Sequence, residues 1–167
     1  LVGVPREQGR RTLGLGADLP FDGVDVWNAY ELSWLRPGGR PVVAMGRLHV
    51  PARSPQLVES KSLKLYLASF HGECLDGPAS LVASVERDVS RVVGAPVRFE
   101  VDLDWARRTE TVTPAAGLCL DDLDVDCNAY TVDDALLAGL AGSGPEVEEV
   151  LVSHLVRSRC PVTSPPD

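Results

Sequence analysis

Glu31-Leu32-Ser33-Trp34-Leu35-Arg36-Pro37-Gly38-Gly39-Arg40-Pro41-Val42-Val43-Ala44-Met45-Gly46-Arg47-Leu48-His49-Val50 reads as strand, turn, strand. Pro37-Gly38-Gly39 is a turn signal, because proline presets its own backbone and glycine tolerates angles that other residues avoid. Beyond the turn, Val42, Val43, Met45, Leu48 and Val50 are available for burial, as in a strand over Pro41–Val50. The run before the turn, within the mixed segment Val24 to Trp34, pairs with it most simply as an antiparallel hairpin.

Working outward, Leu63, Leu67 and Phe70 fall at i, i+4 and i+7, which predicts a helix over Ser62–Phe70. A second helix is predicted over Pro78–Val93. Leu81, Val82, Val85, Val89 and Val92 form its apolar stripe, Glu86, Arg87, Asp88 and Arg91 are polar, and Gly94 is the stop signal. Val97, Phe99, Val101 and Leu103 then alternate with Arg98, Glu100 and Asp102, the period of a half-buried strand. Thr109 to Ala115 reads as a loop, and Asp121, Asp122, Asp124 and Asp126 as an acidic run. Val147–Val156 fits a strand or a helix by period alone. Leu1–Gly23, rich in Gly, Arg and Pro, reads as an extended lead-in. The order strand, strand, helix, helix, strand, strand predicts an α+β layer, with helices packed on an antiparallel sheet.

The chain has 167 residues, room for one domain or for one domain and the start of another. Of these, 44% are hydrophobic but only 5% aromatic, so Val, Leu and Ala must fill most of the core. The formal net charge of −8 and pI near 4.8 disfavour non-specific binding to nucleic acid, while leaving room for a local basic pocket. No apolar run approaches the roughly 18–20 residues of a membrane span, and Leu1–Arg11 has no signal-peptide block. Cys74, Cys119, Cys127 and Cys160 form no CxxC pair, so no metal site is expected, and free thiols in a reducing cytoplasm are the simplest reading. There is no GxGxxG or P-loop pattern, so a nicotinamide cofactor would bind outside a Rossmann fold.

Two segments carry candidate chemistry. Cys160 follows Arg157 and Arg159, which favour a thiolate, and Asp167 lies beyond Pro161, Pro165 and Pro166, which stiffen the loop between them. A thiol nucleophile with a nearby carboxylic acid suits addition to an electrophilic carbon. The plainer alternative is a buried structural cysteine and a solvated aspartate. His154 is close enough in sequence to be considered as the base for Cys160. The second segment is Leu57-Val58-Glu59-Ser60-Lys61-Ser62-Leu63-Lys64-Leu65-Tyr66. Ser60 and Ser62 are candidate helix caps, the helix start with Lys61 and Lys64 would attract phosphates, and a buried Glu59 could accept hydrogen bonds from a heterocyclic base. The alternative is an ordinary capped helix with a solvated lysine face.

Together these segments resemble the QueF family, the NADPH-dependent 7-cyano-7-deazaguanine reductases, in its long two-module branch. The resemblance rests on Glu59-Ser60-Lys61-Ser62-Leu63-Lys64 running into Tyr66 and Phe70, and on Ser158-Arg159-Cys160-Pro161-Val162-Thr163 with Asp167. It extends to Gly3-Val4-Pro5-Arg6, Leu13-Gly14-Leu15, Trp27 to Trp34, and Leu151-Val152-Ser153-His154-Leu155. It implies a tunnelling fold, a four-stranded antiparallel sheet backed by two helices. Residues 24–156 would be the first module, after the lead-in 1–23, and 157–167 the start of the second. The implied reaction reduces the nitrile of a free deazaguanine base to a primary amine with NADPH, in queuosine biosynthesis. Cys160 would form a thioimide and Asp167 would donate protons. Val58, Glu59 and Ser60 would hold the base, and Ser60 and Lys61 would touch NADPH. No metal, no direct nucleic-acid contact and no membrane would be involved. The full-length protein would be a cytoplasmic homodimer.

The family's Phe-His-Glu and Arg-Gly segments of the second module are not in this sequence, and the expectation is therefore a fragment or a truncated product. Two other readings remain from the residues: a base-binding module of the same fold without catalysis, and a tunnelling-fold cyclohydrolase, whose chemistry needs a zinc site.

Overall fold

A computed structural model describes residues 1–104, 116–129, 133–136, 144–145 and 147–155. The chain divides into two compact units, Leu1–Glu110 and Thr111–Asp167. No helix among the described residues is long and apolar enough to cross a membrane.

The first unit is α+β. Its hairpin consists of β2 (Val24–Leu35) and β3 (Pro41–Pro51), antiparallel, with Trp34 opposite Val42 and Trp27 opposite Leu48. The turn is closed by Gly39 N donating to the Arg36 carbonyl at 2.8 Å. Gly38 and Gly39 have φ of 93° and 82°, left-handed angles that account for the two glycines. The third strand, β5 (Arg98–Asp102), pairs antiparallel with β3, setting Phe99 opposite Leu48. The sheet order is β2-β3-β5. Four strands were expected. The sheet has three among the described residues, and the other described strands form separate pairs.

Helices α2 (Ser60–Ala68) and α3 (Pro78–Val93) cover one face of this sheet. From α3, Leu81, Val85, Val89 and Val93 are buried, four residues apart throughout. They meet Leu32, Trp34, Ala44, Leu48, Val50 and Phe99 from the strands and Leu63 from α2. The stripe was expected to end at Val92; the observed i, i+4 repeat carries it to Val93 instead. Leu103, expected to continue the inward set of the third strand, is exposed just beyond β5. Two α3 side chains reach that strand and its approach: Ser90 Oγ accepts from Val97 N at 3.0 Å, and Glu86 Oε1 accepts from Phe99 N at 2.9 Å. Gly94 ends α3 at φ 72°, and a Cβ there would sit 2.7 Å from Pro55 Cγ.

Residues 1–23 are not simply the extended lead-in that their composition suggests. Gly3–Pro5 forms β1, paired antiparallel with β4 (Gln56–Val58), and Arg6–Thr12 forms the short helix α1. No residue of α1 is buried, so no apolar stripe announces it. Its anchors are polar. Arg6 Nε donates to the buried Ser54 hydroxyl at 3.1 Å, the Arg6 guanidinium pairs with Asp25, and Arg10 donates to the Ala52 carbonyl at 2.7 Å.

In the second unit, β6 (Leu118–Cys119) and β7 (Leu151–Val152) pair in parallel, Cys119 opposite Val152. Val147–Val156 was open between strand and helix; its described part is extended at Leu151–Val152.

Candidate functional site

The start of α2 is built around Glu59. Its backbone is extended, at φ −71° and ψ 131°, and its carboxylate accepts from Lys61 N at 2.9 Å and Ser62 N at 2.6 Å. Those are two of the amide donors that a helix leaves unpaired at its N-terminus. The cap is therefore Glu59, not Ser60 or Ser62. Ser62 takes the complementary part: its hydroxyl donates to the Glu59 carbonyl at 2.9 Å and accepts from Val2 N at 2.9 Å. The acid caps from the position where a serine, threonine, aspartate or asparagine is the usual choice, which explains why those preferences point one and three residues late, to Ser60 and Ser62. The Lys61 amide, then the Ser62 amide, hold the Glu59 carboxyl below the usual carboxylate range.

The neighbours of Glu59 divide sharply. Val58 is a core residue, 2% exposed, and pairs with Gly3 across the β1–β4 ladder. Any contact from Val58 to a ligand would therefore use its backbone. Ser60, Lys61 and Lys64 are exposed.

Beside α2 lies a cleft of about 420 Å³. Ser60, Lys64 and His71 line one side and Trp27, Glu31 and Phe99 the other. Of the predicted site residues Val58, Glu59, Ser60 and Lys61, only Ser60 lines it. Trp27 and Glu31 carried no prediction. Both lie on β2, but the register shift between Ala29 and Leu32 breaks the strand's alternation between them, so no period of two groups them. Trp27 Nε1 is buried without a hydrogen-bond partner in the structure. An apolar cleft of this size with a few polar groups at its rim suits a small heterocyclic ligand.

Behind α2, the Tyr66 hydroxyl donates to Asp88 Oδ2 at 2.8 Å, and the Tyr66 ring meets Phe70 edge-on at 5.3 Å. Burial, then the hydrogen bond to Asp88, raises the Tyr66 pKa above its ordinary value. Arg87 and Tyr66 lower that of Asp88.

In the second unit, His154 Nδ1 lies 3.0 Å from Asp121 Oδ2 and 4.0 Å from Cys119 Sγ. The His154 amide also donates to Asp121 Oδ2 at 3.0 Å. The Ser153 hydroxyl, then the His154 amide, lower the Asp121 pKa. Cys160 and Asp167, predicted as nucleophile and acid, lie outside the described residues, and so does any pairing of His154 with Cys160.

Comparison with known proteins decides the family. The model of the nitrile reductase family, described as the 7-cyano-7-deazaguanine-reductase N-terminal part, matches residues 1–101. The chain belongs to the 7-cyano-7-deazaguanine reductase family. The NADPH-dependent 7-cyano-7-deazaguanine reductase of Dechloromonas aromatica is 46% identical over 168 residues, covering all of this chain and 59% of the relative. The enzyme of the same name from Burkholderia pseudomallei strain 1106a is 44% identical over 167 residues, again covering all of this chain and 61% of the relative. The chain thus spans about three-fifths of the length of these reductases. The family-matched stretch contains the Glu59 turn and the cleft beside α2.

Proposed function

We propose that this chain is part of an NADPH-dependent nitrile reductase acting on 7-cyano-7-deazaguanine. The observation that carries the reading is the family match over residues 1–101, joined to likeness along the whole chain to reductases of that name. The reading includes a tunnelling fold whose second module opens at residue 157, and a full-length homodimer in the cytoplasm.

In this reading Cys160 adds through sulfur to the nitrile carbon. The carbon–nitrogen triple bond becomes a double bond, and Asp167 supplies the proton that nitrogen gains. NADPH supplies hydride. Two hydrides and two protons in all convert the nitrile to an aminomethyl group, and the carbon–sulfur bond breaks on the way, returning the thiol. Thiolate addition turns a linear nitrile into an imine-like carbon that hydride attacks readily.

Val58, Glu59 and Ser60 would hold the base, Val58 through its backbone. A carboxylate suits the N–H edge of a deazaguanine, and Glu59 is ionised at neutral pH. Ser60 and Lys61 would meet the cofactor's phosphates. The chain fits that role through exposed side chains, because the Lys61 and Ser62 amides are already engaged by Glu59.

The test is spectroscopic. The full-length protein mixed with 7-cyano-7-deazaguanine, without NADPH, should develop the absorbance of a thioimide. Cys160→Ala should abolish it. A band that persists in that variant sinks the role of Cys160.

A further inference from the structure

Cys119, Asp121 and His154 bring one sulfur, one carboxylate oxygen and one imidazole nitrogen to within 4.8 Å of one another. They come from two places far apart in the chain, the end of β6 and the segment after β7. The β6–β7 pairing brings them together. Leu118 N donates to the Val150 carbonyl and Leu120 N to the Val152 carbonyl, each at 2.9 Å, so Cys119 is bracketed by two backbone bonds. Asp121 is held by its bond from the His154 amide.

Two arrangements use these three residue types. In a nucleophilic triad the thiol and the carboxylate sit on opposite nitrogens of the imidazole, so that a proton passes through the ring. Here both approach the same atom: Nδ1 is 3.0 Å from Asp121 Oδ2 and 4.0 Å from Cys119 Sγ. No relay through the ring is possible. Three donor atoms gathered at one point are instead what a metal ion requires. Tetrahedral zinc, with Zn–S about 2.3 Å and Zn–N or Zn–O about 2.0–2.2 Å, separates its ligand atoms by roughly 3.3–3.6 Å. The two distances to His154 Nδ1, 3.0 and 4.0 Å, straddle that range, and all three atoms lie within 4.8 Å, so side-chain rotations that draw the thiol inward would close the site.

We propose that Cys119, Asp121 and His154 bind a zinc ion that clamps the segment after β6 to the segment after β7. The donor set selects the metal. Thiolate and imidazole exclude the oxygen-loving magnesium and calcium and favour zinc. Binding releases the thiol proton and displaces the hydrogen bond between His154 Nδ1 and Asp121. The exposed Asp122, Asp124 and Asp126 add negative potential beside the site, which raises the local cation concentration. A clamp also answers a structural need, since strands of two residues hold little by themselves. The site is independent of the reduction proposed above.

The test is cobalt substitution of the purified protein. One equivalent of Co2+ should give a thiolate-to-cobalt charge-transfer band in the near ultraviolet, and one equivalent of Zn2+ should bleach it. Cys119→Ser should remove the band, and Cys127→Ser and Cys160→Ala should keep it. Asp121→Asn and His154→Ala should each weaken Zn2+ binding by at least about tenfold in competition with a chromophoric chelator. Absence of the band, or a band that survives Cys119→Ser, overturns the proposal and leaves a plain Asp121–His154 hydrogen bond beside an uninvolved thiol.

Discussion

The Glu59 carboxylate accepts the Ser62 amide at 2.6 Å, and the Ser62 hydroxyl returns a hydrogen bond to the Glu59 carbonyl at 2.9 Å. Because the cap works only when Glu59 is ionised, it carries a pH dependence. The folded pKa lies below the unfolded one. The stabilisation is therefore present above the unfolded value of about 4.3 and is lost as pH falls through the lower, folded value. Titration of Glu59 followed by side-chain NMR should give a midpoint below the ordinary glutamate range. A midpoint at or above that range would contradict the cap.

The same carboxylate is asked to hold the base. Each of its oxygens accepts one helix amide and keeps a second lone pair, so the base can be held while the cap stays made. In the full-length protein, Glu59→Gln should weaken base binding measured by calorimetry, and saturating base should leave hydrogen exchange at the Lys61 and Ser62 amides no faster. Undiminished binding in Glu59→Gln would place the base elsewhere.

Lys61 offers a cleaner separation of roles. One charge-assisted contact to a phosphate is worth about 1.5 kcal/mol, close to a tenfold change in affinity. Lys61→Ala should raise the NADPH KM of the full-length enzyme about tenfold and leave the thioimide absorbance intact. Loss of the absorbance with an unchanged KM would assign Lys61 to the base instead.

Tyr66 ties α2 to α3 through Asp88. Tyr66→Phe keeps the edge-on contact with Phe70 and removes one hydrogen bond to a partly exposed carboxylate. Chemical denaturation should show a loss of about 1 kcal/mol. The phenol pKa is raised in the fold, so this contribution is whole below the unfolded value near 10 and disappears above it as pH rises through the folded value. Ultraviolet titration should find one tyrosine resisting ionisation until the protein unfolds.

The sheet centre tolerates little added volume. A Cβ on Gly46 would lie 2.7 Å from Leu32 Cδ1 and 2.8 Å from Phe99 Cζ. Gly46→Ala should cost about 1–3 kcal/mol by overpacking. Leu81→Ala, at a fully buried position, should cost about 2–5 kcal/mol by leaving a cavity. Equilibrium unfolding of the purified chain measures both, and a neutral Gly46→Ala would mean that Leu32 and Phe99 move aside at no cost.

What could be read from the residues follows from where the information sits. The hairpin was legible because Pro37-Gly38-Gly39 interrupts two apolar runs, and α3 because Leu81, Val85 and Val89 repeat at helical spacing. These are local signals. Helix α2 was legible but its first turn was misassigned, since a glutamate cap is an uncommon one. Helix α1 was missed because the tertiary reach of Arg6 and Arg10, not an apolar face, fixes it. The grouping of Cys119 and Asp121 with His154 depends on a strand pairing that bridges more than thirty residues of sequence, which no spacing rule reports. Trp27 and Glu31 sat in a strand that was recognised, but the cleft they line is a property of packing.

Helix α3 also does something for β5 that strand pairing alone does not. Glu86 and Ser90 are one turn apart, a rise of about 6 Å, and they grip amides two residues apart, a span of about 6.6 Å. The two lengths agree, and the helix runs opposite to the strand, so it serves as a ruler laid alongside. If β5 slid by one residue, both grips would fail together and Phe99 would turn to the far face. The register of β5 is thus written twice, once in the ladder with β3 and once in the side chains of a helix.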